Sequence, residues 1–514
     1  MASVLRAPHN DGGILCVPDR DHIPNLLHAN ATQLSASTVD ILGTPLTALR
    51  HQTRREVLAL AQAYHHNAGE PPPMWNHTPW IVAGHQPELF HPGVWVKNFA
   101  LAHWAKRFHA TALNLIIDND IVKSTSLRVP GHHRFETIAF DKRPAGVPYE
   151  EASVQDETLF DSVPARVRDH TGTWPFTPLV DVFWRNVRQQ RERTGNLGER
   201  FAAARRALER AWGYEPCEVP LSHVCATRSF AHFAAYVLEH AESMRHAYND
   251  AVHAYRARHA LRSANHPVPD LARHGDWLEL PLWVWSSAQP RRRHVLMRRL
   301  PHVLELRADS DVFARLTGSI PDRIDQWQAL AHAGYKIRPR ALMTTLWARL
   351  FLGDLFVHGI GGAKYDEVTD DLIRRLFDIE PPGIAALSAT LWLPLPRYPD
   401  ADAEGRRLRL LERDLRFNPQ RHTANHSDLA DQKAAWIQMQ PETHAGRVER
   451  FHRLQDITEA LRPAVAEQAR VVAERIAHFD GLSRLHRMHT WREYAFCLYP
   501  QDTLRTFYSC HFAP

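Results

Sequence analysis

The chain has 514 residues, 44% of them hydrophobic and 23% charged, which is the balance of an ordinary globular protein with room for several domains. Its net charge is only +5 and its arginines are dispersed, with no basic tail or aromatic-interleaved patch to argue for nucleic acid. No apolar run reaches the ~20 residues of a membrane span, no basic-then-apolar leader opens the chain, and five scattered cysteines without a CxxC pair predict free thiols in a reducing cytoplasm.

Residues 1–78 read as an irregular lead-in followed by a helix over 46–65 and a proline-rich turn at Pro71-Pro72-Pro73. Trp80-Ile81-Val82-Ala83 is a short apolar run stopping at Gly84, the pattern of a buried strand. Gly84-His85-Gln86-Pro87 is a polar turn, and a helical pattern carrying Lys97 starts after Pro92-Gly93. Residues 112–117 form a second apolar strand that ends at Asp118-Asn119-Asp120, shortly before Lys123. Strand, polar turn and helix in this order place ligand-binding groups at the carboxyl edge of a parallel sheet.

Residues 140–225 are mixed, with a charged helix over 197–212. A long helical pattern runs from Ser229 to about Ser263, and Pro267 and Pro269 stop it. Residues 277–285 and 294–306 predict antiparallel strands. The α/β alternation resumes at Ile337-Arg338-Pro339-Arg340, with a helix over 341–352, a strand at 355–357, the loop His358 to Asp366, a further helix, and a strand at 389–395. Beyond Asp402, apolar residues at near-heptad spacing predict two amphipathic helices, the second with Pro463 as a kink. The apolar ending around 493–500 is expected to dock on the core.

Only seven of the 62 basic residues are lysines, so a position that keeps lysine is a candidate for a compact ammonium or a tunable pKa. Lys97, Lys123, Lys336 and Lys364 each fall in or beside a candidate stretch. Gly359, Gly361 and Gly362 ahead of Lys364 would free backbone N–H groups to face an anion at a helix start, although neither a Walker loop nor GxGxxG is present. A tight glycine turn with Asp366 near the helix start explains the same residues equally well. Asp118 and Asp120 are close enough to share a ligand or Mg²⁺, and an Asp-Asn-Asp turn also satisfies itself. Histidine spacing gives no metal site, and no covalent nucleophile stands out.

In order, Gly84-His85-Gln86-Pro87-Glu88-Leu89-Phe90-His91-Pro92-Gly93 with Lys97, the acidic strand end, the glycine loop before Tyr365, the helical pair and Leu498-Tyr499-Pro500 resemble the bacillithiol biosynthesis cysteine-adding enzyme family. The resemblance spans about residues 80 to 505. It departs from the family pattern at His85, at Asp118-Asn119-Asp120 and at Gly361 to Asp366.

This resemblance implies an α/β fold: a Rossmann-like parallel-sheet core with inserted helical and antiparallel segments and a C-terminal helical coiled-coil hairpin that forms a homodimer. The corresponding divisions are 1–140 and 336–400 for the two halves of the core, 141–335 for the insertion, 401–490 for the hairpin and 491–514 for a segment docking back. The expected activity is that of a cytoplasmic ligase or condensing enzyme in thiol metabolism, acting on a small polar anionic metabolite. His85, Asp118 and Asp120 are its candidate catalytic residues. Its substrate-binding residues are expected to be Gly84, Gln86, Lys97, Lys123, Arg338, Arg340, Gly359, Gly361, Gly362, Lys364, Tyr365 and Asp366. Lys97 and Lys364 would hold anions, and Arg338 and Arg340 would clamp a carboxylate. The alternatives are an ATP-using nucleotidyl transferase, with ATP or ADP and Mg²⁺ at the glycine loop, and a non-catalytic coiled-coil scaffold. Neither a membrane nor a nucleic-acid partner is expected.

Overall fold

The computed structural model describes residues 5–73, 78–142, 146–423 and 427–514. The chain divides into two units, one of Met1–Leu127, Thr137–Leu391 and Arg492–Pro514, the other of Arg128–Glu136 and Trp392–Trp491.

The first unit is mixed α/β and holds two six-membered sheets. Its main strands, in chain order, are β1 (Gly13–Val17), β2 (Trp80–His85), β3 (Thr111–Ile116), β4 (Glu218–Pro220), β5 (Trp277–Ser286), β6 (Gln289–Leu300), β7 (Val303–Ala308), β8 (Asp311–Thr317), β9 (Lys336–Pro339), β10 (Leu355–His358) and β11 (Ile384–Thr390). Its principal helices are α1 (Ile23–Ser35), α2 (Leu46–Asn67), α3 (Pro92–Phe108), α4 (Leu197–Ala211), α5 (Arg228–Glu239), α6 (Ala241–Arg258), α7 (Ala341–Trp347) and α8 (Ile360–Phe377).

One sheet has the order β1-β11-β10-β2-β3-β4, parallel throughout except for β1, which is antiparallel to β11. Buried residues run without alternation through Trp80–Ala83 and all of β3, as a sheet covered on both faces requires. From β2 the chain steps outward to β3 and β4, then returns to the other side of β2 for β10 and β11, so the strand order reverses between β2 and β10. The second sheet, β8-β7-β6-β5-β9, is antiparallel, and β5 also pairs with the short strand Arg273–His274. One face of it, with Leu280, Leu282, Val284, Val295 and Leu306, is buried in the main core.

Several expectations are corrected. The lead-in is ordered: β1 joins the parallel sheet, and the buried Asn30 of α1 donates to Asp354 O at 2.8 Å and Gly383 O at 2.7 Å. The single helix expected from Ser229 is two, α5 and α6, which meet at His240. β9, assigned to the second half of the core, is the last strand of the antiparallel sheet, whereas β4, inside the expected insertion, belongs to the parallel one. The strand expected at 389–395 lies earlier, at β11. The segment between β10 and α8 is not a glycine loop: Gly359 caps α8, and Gly361 and Gly362 are already in its first turn. The C-terminal segment docks as expected, with Tyr494–Tyr499 buried and Phe496 N donating to Phe90 O at 3.0 Å.

The second unit contains α9 (Ala401–Phe417) and the 46-residue α10 (His444–His489), which continues through Pro463. They run antiparallel, since Asp402 meets Ser483 while Leu408 and Leu415 pack with Val472 and Val465 further back along α10. Leu410, Phe417, Val448 and Phe451 of this unit are exposed.

Candidate functional site

A cleft of about 510 Å³ opens beyond the carboxyl ends of β3 and β4. Ile116 and Asp118 reach it from β3, Pro220, Ser222 and His223 from β4, Leu60 and Tyr64 from α2, Asn196 and Glu199 from the start of α4, Glu150 from a connecting turn and Arg338 from β9. Asn196 is the N-cap of α4 and accepts from Glu199 N at 2.9 Å, which fixes that wall. The lining mixes apolar and polar side chains, and its charged groups are mostly acidic: Asp118, Glu150 and Glu199 with the guanidinium of Arg338. Arg338 is itself held bidentately by Glu150, Nε to Oε2 at 2.9 Å and Nη2 to Oε1 at 2.7 Å.

Asp118 is the pivot of the cleft. It is buried, its Oδ1 accepts from Ser222 N at 3.0 Å, and Ser222 Oγ donates to its Oδ2. Burial, reinforced by the charge of Glu150, pushes its carboxyl up to about 7, against the opposing pull of the Ser222 bonds and Arg338. A carboxyl poised near neutrality accepts a proton from a bound ammonium far more readily than an ordinary surface aspartate does. Because the folded pKa is raised, the folded state binds more protons than the unfolded one between the unfolded value near ~3.9 and about 7, and stability falls as pH rises through that window. Asp118→Asn, whose amide oxygen still accepts from Ser222, should therefore raise the melting temperature more at pH 8 than at pH 4, as thermal melts at the two pH values will read.

The opening motif builds a second group of side chains at the ends of β2 and β3. Gln86 Nε2 donates to Asp120 Oδ2 at 2.9 Å, and Asp120 also accepts from Arg292 Nη1 at 3.2 Å and pairs with Lys123 at 3.5 Å. Burial opposes ionisation of Asp120, but Lys123, Gln86 and Arg292 outweigh it and hold the carboxyl below its usual range. Asp118 and Asp120 thus turn to different partners and do not form the shared ligand site expected of them. Among the described residues no cluster of three His, Cys, Asp or Glu is arranged to hold a metal ion.

His85 directs Nδ1 at Gln86 O, 3.2 Å away, which leaves Nε2 as the basic nitrogen of the neutral ring. Burial, with Lys97 next, pushes its pKa well below the usual value. It is a weak base and a poor proton donor near neutrality, so of the candidate catalytic residues Asp118 is better matched to acid/base work than His85. Lys97 is 3% exposed and donates to Gly84 O at 3.0 Å, and burial lowers its pKa to about 8.

The remaining predicted residues do not converge on this edge as free groups. Arg340 donates to Glu279 Oε1 at 2.6 Å and lies 4.3 Å from the centre of the Trp283 ring; with Arg338 on Glu150, both clamps expected for a substrate carboxylate are closed on the protein's own. Asp366 is buried and accepts from Arg349 Nη1 at 2.7 Å, with His358 Nε2 at 3.1 Å, so it serves the base of α8 and not a ligand. Gly362 is required there, since a Cβ would lie 2.5 Å from His358 Nδ1. Tyr365 rests edge-on against His266, 5.4 Å between ring centres, while Gly361 and Lys364 are exposed.

Tyr64, Glu150, Glu199, Ser222 and His223 line the cleft without having been predicted. Glu150, Ser222 and His223 lie in stretches whose mixed pattern gives no periodicity to read, while Tyr64 and Glu199 lie on expected helices with nothing to mark them out. Comparison with protein-family models and with curated proteins returns no match for this chain.

Proposed function

We propose that this chain is a cytoplasmic enzyme of the ligase or condensing type, with a Rossmann-like core, acting on a small polar metabolite that presents an amine to the Asp118 cleft. The observation that carries this reading is the pairing of a buried, proton-accepting Asp118 with Glu150 and Glu199 in a cleft at the carboxyl edge of parallel strands. Asp118 and Glu199 face an incoming ammonium, and Asp118 takes its proton so that the free amine adds to the carbonyl carbon of an activated acyl group, whose C=O π pair passes to oxygen and returns as the activating group leaves. Arg338, held by Glu150, has no free fork to clamp the charge that develops on oxygen and contributes only its positive field there. The strand order that reverses between β2 and β10 supports the Rossmann-like reading of the core. The motif resemblance supports kinship with the cysteine-adding enzymes of bacillithiol biosynthesis, a thiol-forming product, and a homodimer through α9 and α10 as a coiled-coil hairpin. The cleft shifts the expected substrate from an anionic metabolite to an amine-bearing one.

Thermal-shift screening against amino acids, amino-sugar conjugates, simple carboxylic acids and thiols without amines tests this. Amine-bearing compounds should stabilise the protein, by ~2.7 kcal/mol at ~100 times the Kd. Stabilisation by amine-free acids alone would sink the reading.

An ATP-using nucleotidyl transferase is favoured by a different observation: α8 begins at the point where strand order reverses, with open space over Gly359 and Gly361 and an exposed Lys364. These groups fit a phosphate chain; Asp118 and Asp120, already engaged, do not fit a shared Mg²⁺. Calorimetric titration with ATP, with and without Mg²⁺, decides this alternative.

A further inference from the structure

The walls of the Asp118 cleft narrow which amines it accepts, an inference that rests on the amine reading. One wall is apolar. Tyr64 and Ile116 pack together in a small cluster with Ala202, and Leu60, one turn before Tyr64 on α2, lies against the main core. Pro220 and Pro87 extend this wall. Pro87 is seated on Gly198 at the start of α4, where a Cβ would come within 2.7 Å of the proline Cγ. His223 stands edge-on to Tyr64, 5.8 Å between ring centres, and desolvation lowers its pKa, so it adds a neutral ring at neutral pH.

The cations around the cleft are already engaged. Arg338 is the cation among the residues that line it, and all three of its nitrogens are used: Nε and Nη2 on Glu150, Nη1 on Ile337 O at 3.1 Å. Outside the lining, Lys336 pairs with Glu151 at 2.5 Å, Arg200 with Glu157 at 2.8 Å, and Arg206 with Glu70 and Glu218. Arg193 is turned to Glu199 Oε2 at 3.3 Å. With Glu150 spent on Arg338, the carboxylates left to the cavity are Asp118 and Glu199. A carboxylate entering beside the ammonium would therefore lose water, meet no free fork and lie near like charge.

The cavity also has more room than an ammonium on a short stem needs, since about 510 Å³ falls in the range of sites that enclose whole small molecules. Each methylene laid on an apolar wall strengthens binding by about 4-fold.

We infer that the amine taken by this cleft sits on an uncharged, largely apolar body and has no carboxylate on the carbon that bears its nitrogen. Its ammonium meets Asp118 and Glu199, and its body lies along Leu60, Tyr64 and Ile116. Free α-amino acids are then poor amine donors here, and alkyl or arylalkyl amines are good ones.

Calorimetry on the full chain at pH 7.5 with phenethylamine, phenylalanine and methylamine tests this. Phenethylamine and phenylalanine differ by the carboxylate alone, phenethylamine and methylamine by the apolar body. Phenethylamine should bind at least ~10-fold more tightly than either, the first gap being the cost of an unpartnered charge and the second that of the lost wall contacts. Leu60→Ala should shrink the preference for phenethylamine over methylamine by ~5-fold, and the wild-type comparison stands whether or not that variant folds. Phenylalanine binding as tightly as phenethylamine overturns the exclusion of the carboxylate, and methylamine doing so overturns the apolar body; in both cases the amine reading survives. If none of the three binds up to ~10 mM, a Kd beyond which affinity is negligible, the amine reading fails and this inference with it.

Discussion

Glu218→Gln lowers the stability of the folded protein by about 3–5 kcal/mol, the range for breaking one side of a buried ion pair. Glu218 is fully buried at the start of β4. It accepts from Arg205 Nη2 at 2.6 and 2.7 Å, from Arg206 Nη1 at 3.0 Å and from Asn114 Nδ2 at 2.6 Å. Arg206 in turn grips Glu70 at 2.7 and 2.8 Å, and Arg205 holds Glu209, the acceptor for Trp95 Nε1 at 2.6 Å. A neutral amide leaves two buried guanidiniums facing one another with a charge too few. Burial opposes ionisation of Glu218, but Arg205, Arg206 and Asn114 hold its pKa below the usual value. Its contribution is therefore present above the unfolded pKa near ~4.3 and is lost as pH falls through the depressed folded value. Urea melts at pH 7 should show the deficit, and the gap between variant and wild type should narrow in acid.

The second large effect is Gly93→Ala. A Cβ at this position would sit 2.0 Å from the Ala389 carbonyl oxygen of β11, a backbone atom that no rotamer change removes. Either α3 lifts from the sheet or β11 shifts, and overpacking of this kind typically costs about 1–3 kcal/mol, with the upper end expected where the obstacle is backbone. The damage reaches further than stability, because α3 packs on β2, β3 and β11 and positions both His91 and Lys97. A melting temperature equal to wild type would show that α3 and β11 are not in this contact.

Some of this was legible in the amino-acid pattern and some was not, for identifiable reasons. β2, β3 and β10 announce themselves because strands buried on both faces are continuous apolar runs, and α3 because Pro92-Gly93 marks its start. β4 is only Glu-Val-Pro, and its Glu218 looks like surface until Arg205, Arg206 and Asn114 surround it. Asp118 could be singled out at its strand end. Its neighbours Glu150 and Ser222 could not, because they lie 32 and 104 residues away and meet it only through the tertiary fold. The arginines misled in the opposite sense: Arg338 and Arg340 read as substrate clamps, but buried guanidiniums are costly unless paired, and Glu150 and Glu279 pair them. Glycines at 359, 361 and 362 likewise signalled a loop, while the helix absorbed two of them because its first turn tolerates them and Gly362 must clear His358.

The most direct test of the proposed chemistry is the binding isotherm of the best amine-bearing compound to wild type and to Asp118→Asn at pH 7.5. With Asp118 accepting from the ammonium, the substitution should raise Kd by ~10-fold or more, the worth of a lost charge-assisted bond. Equal amine affinity in the two proteins would contradict the assignment of the cleft, and with it the condensing reaction built on Asp118.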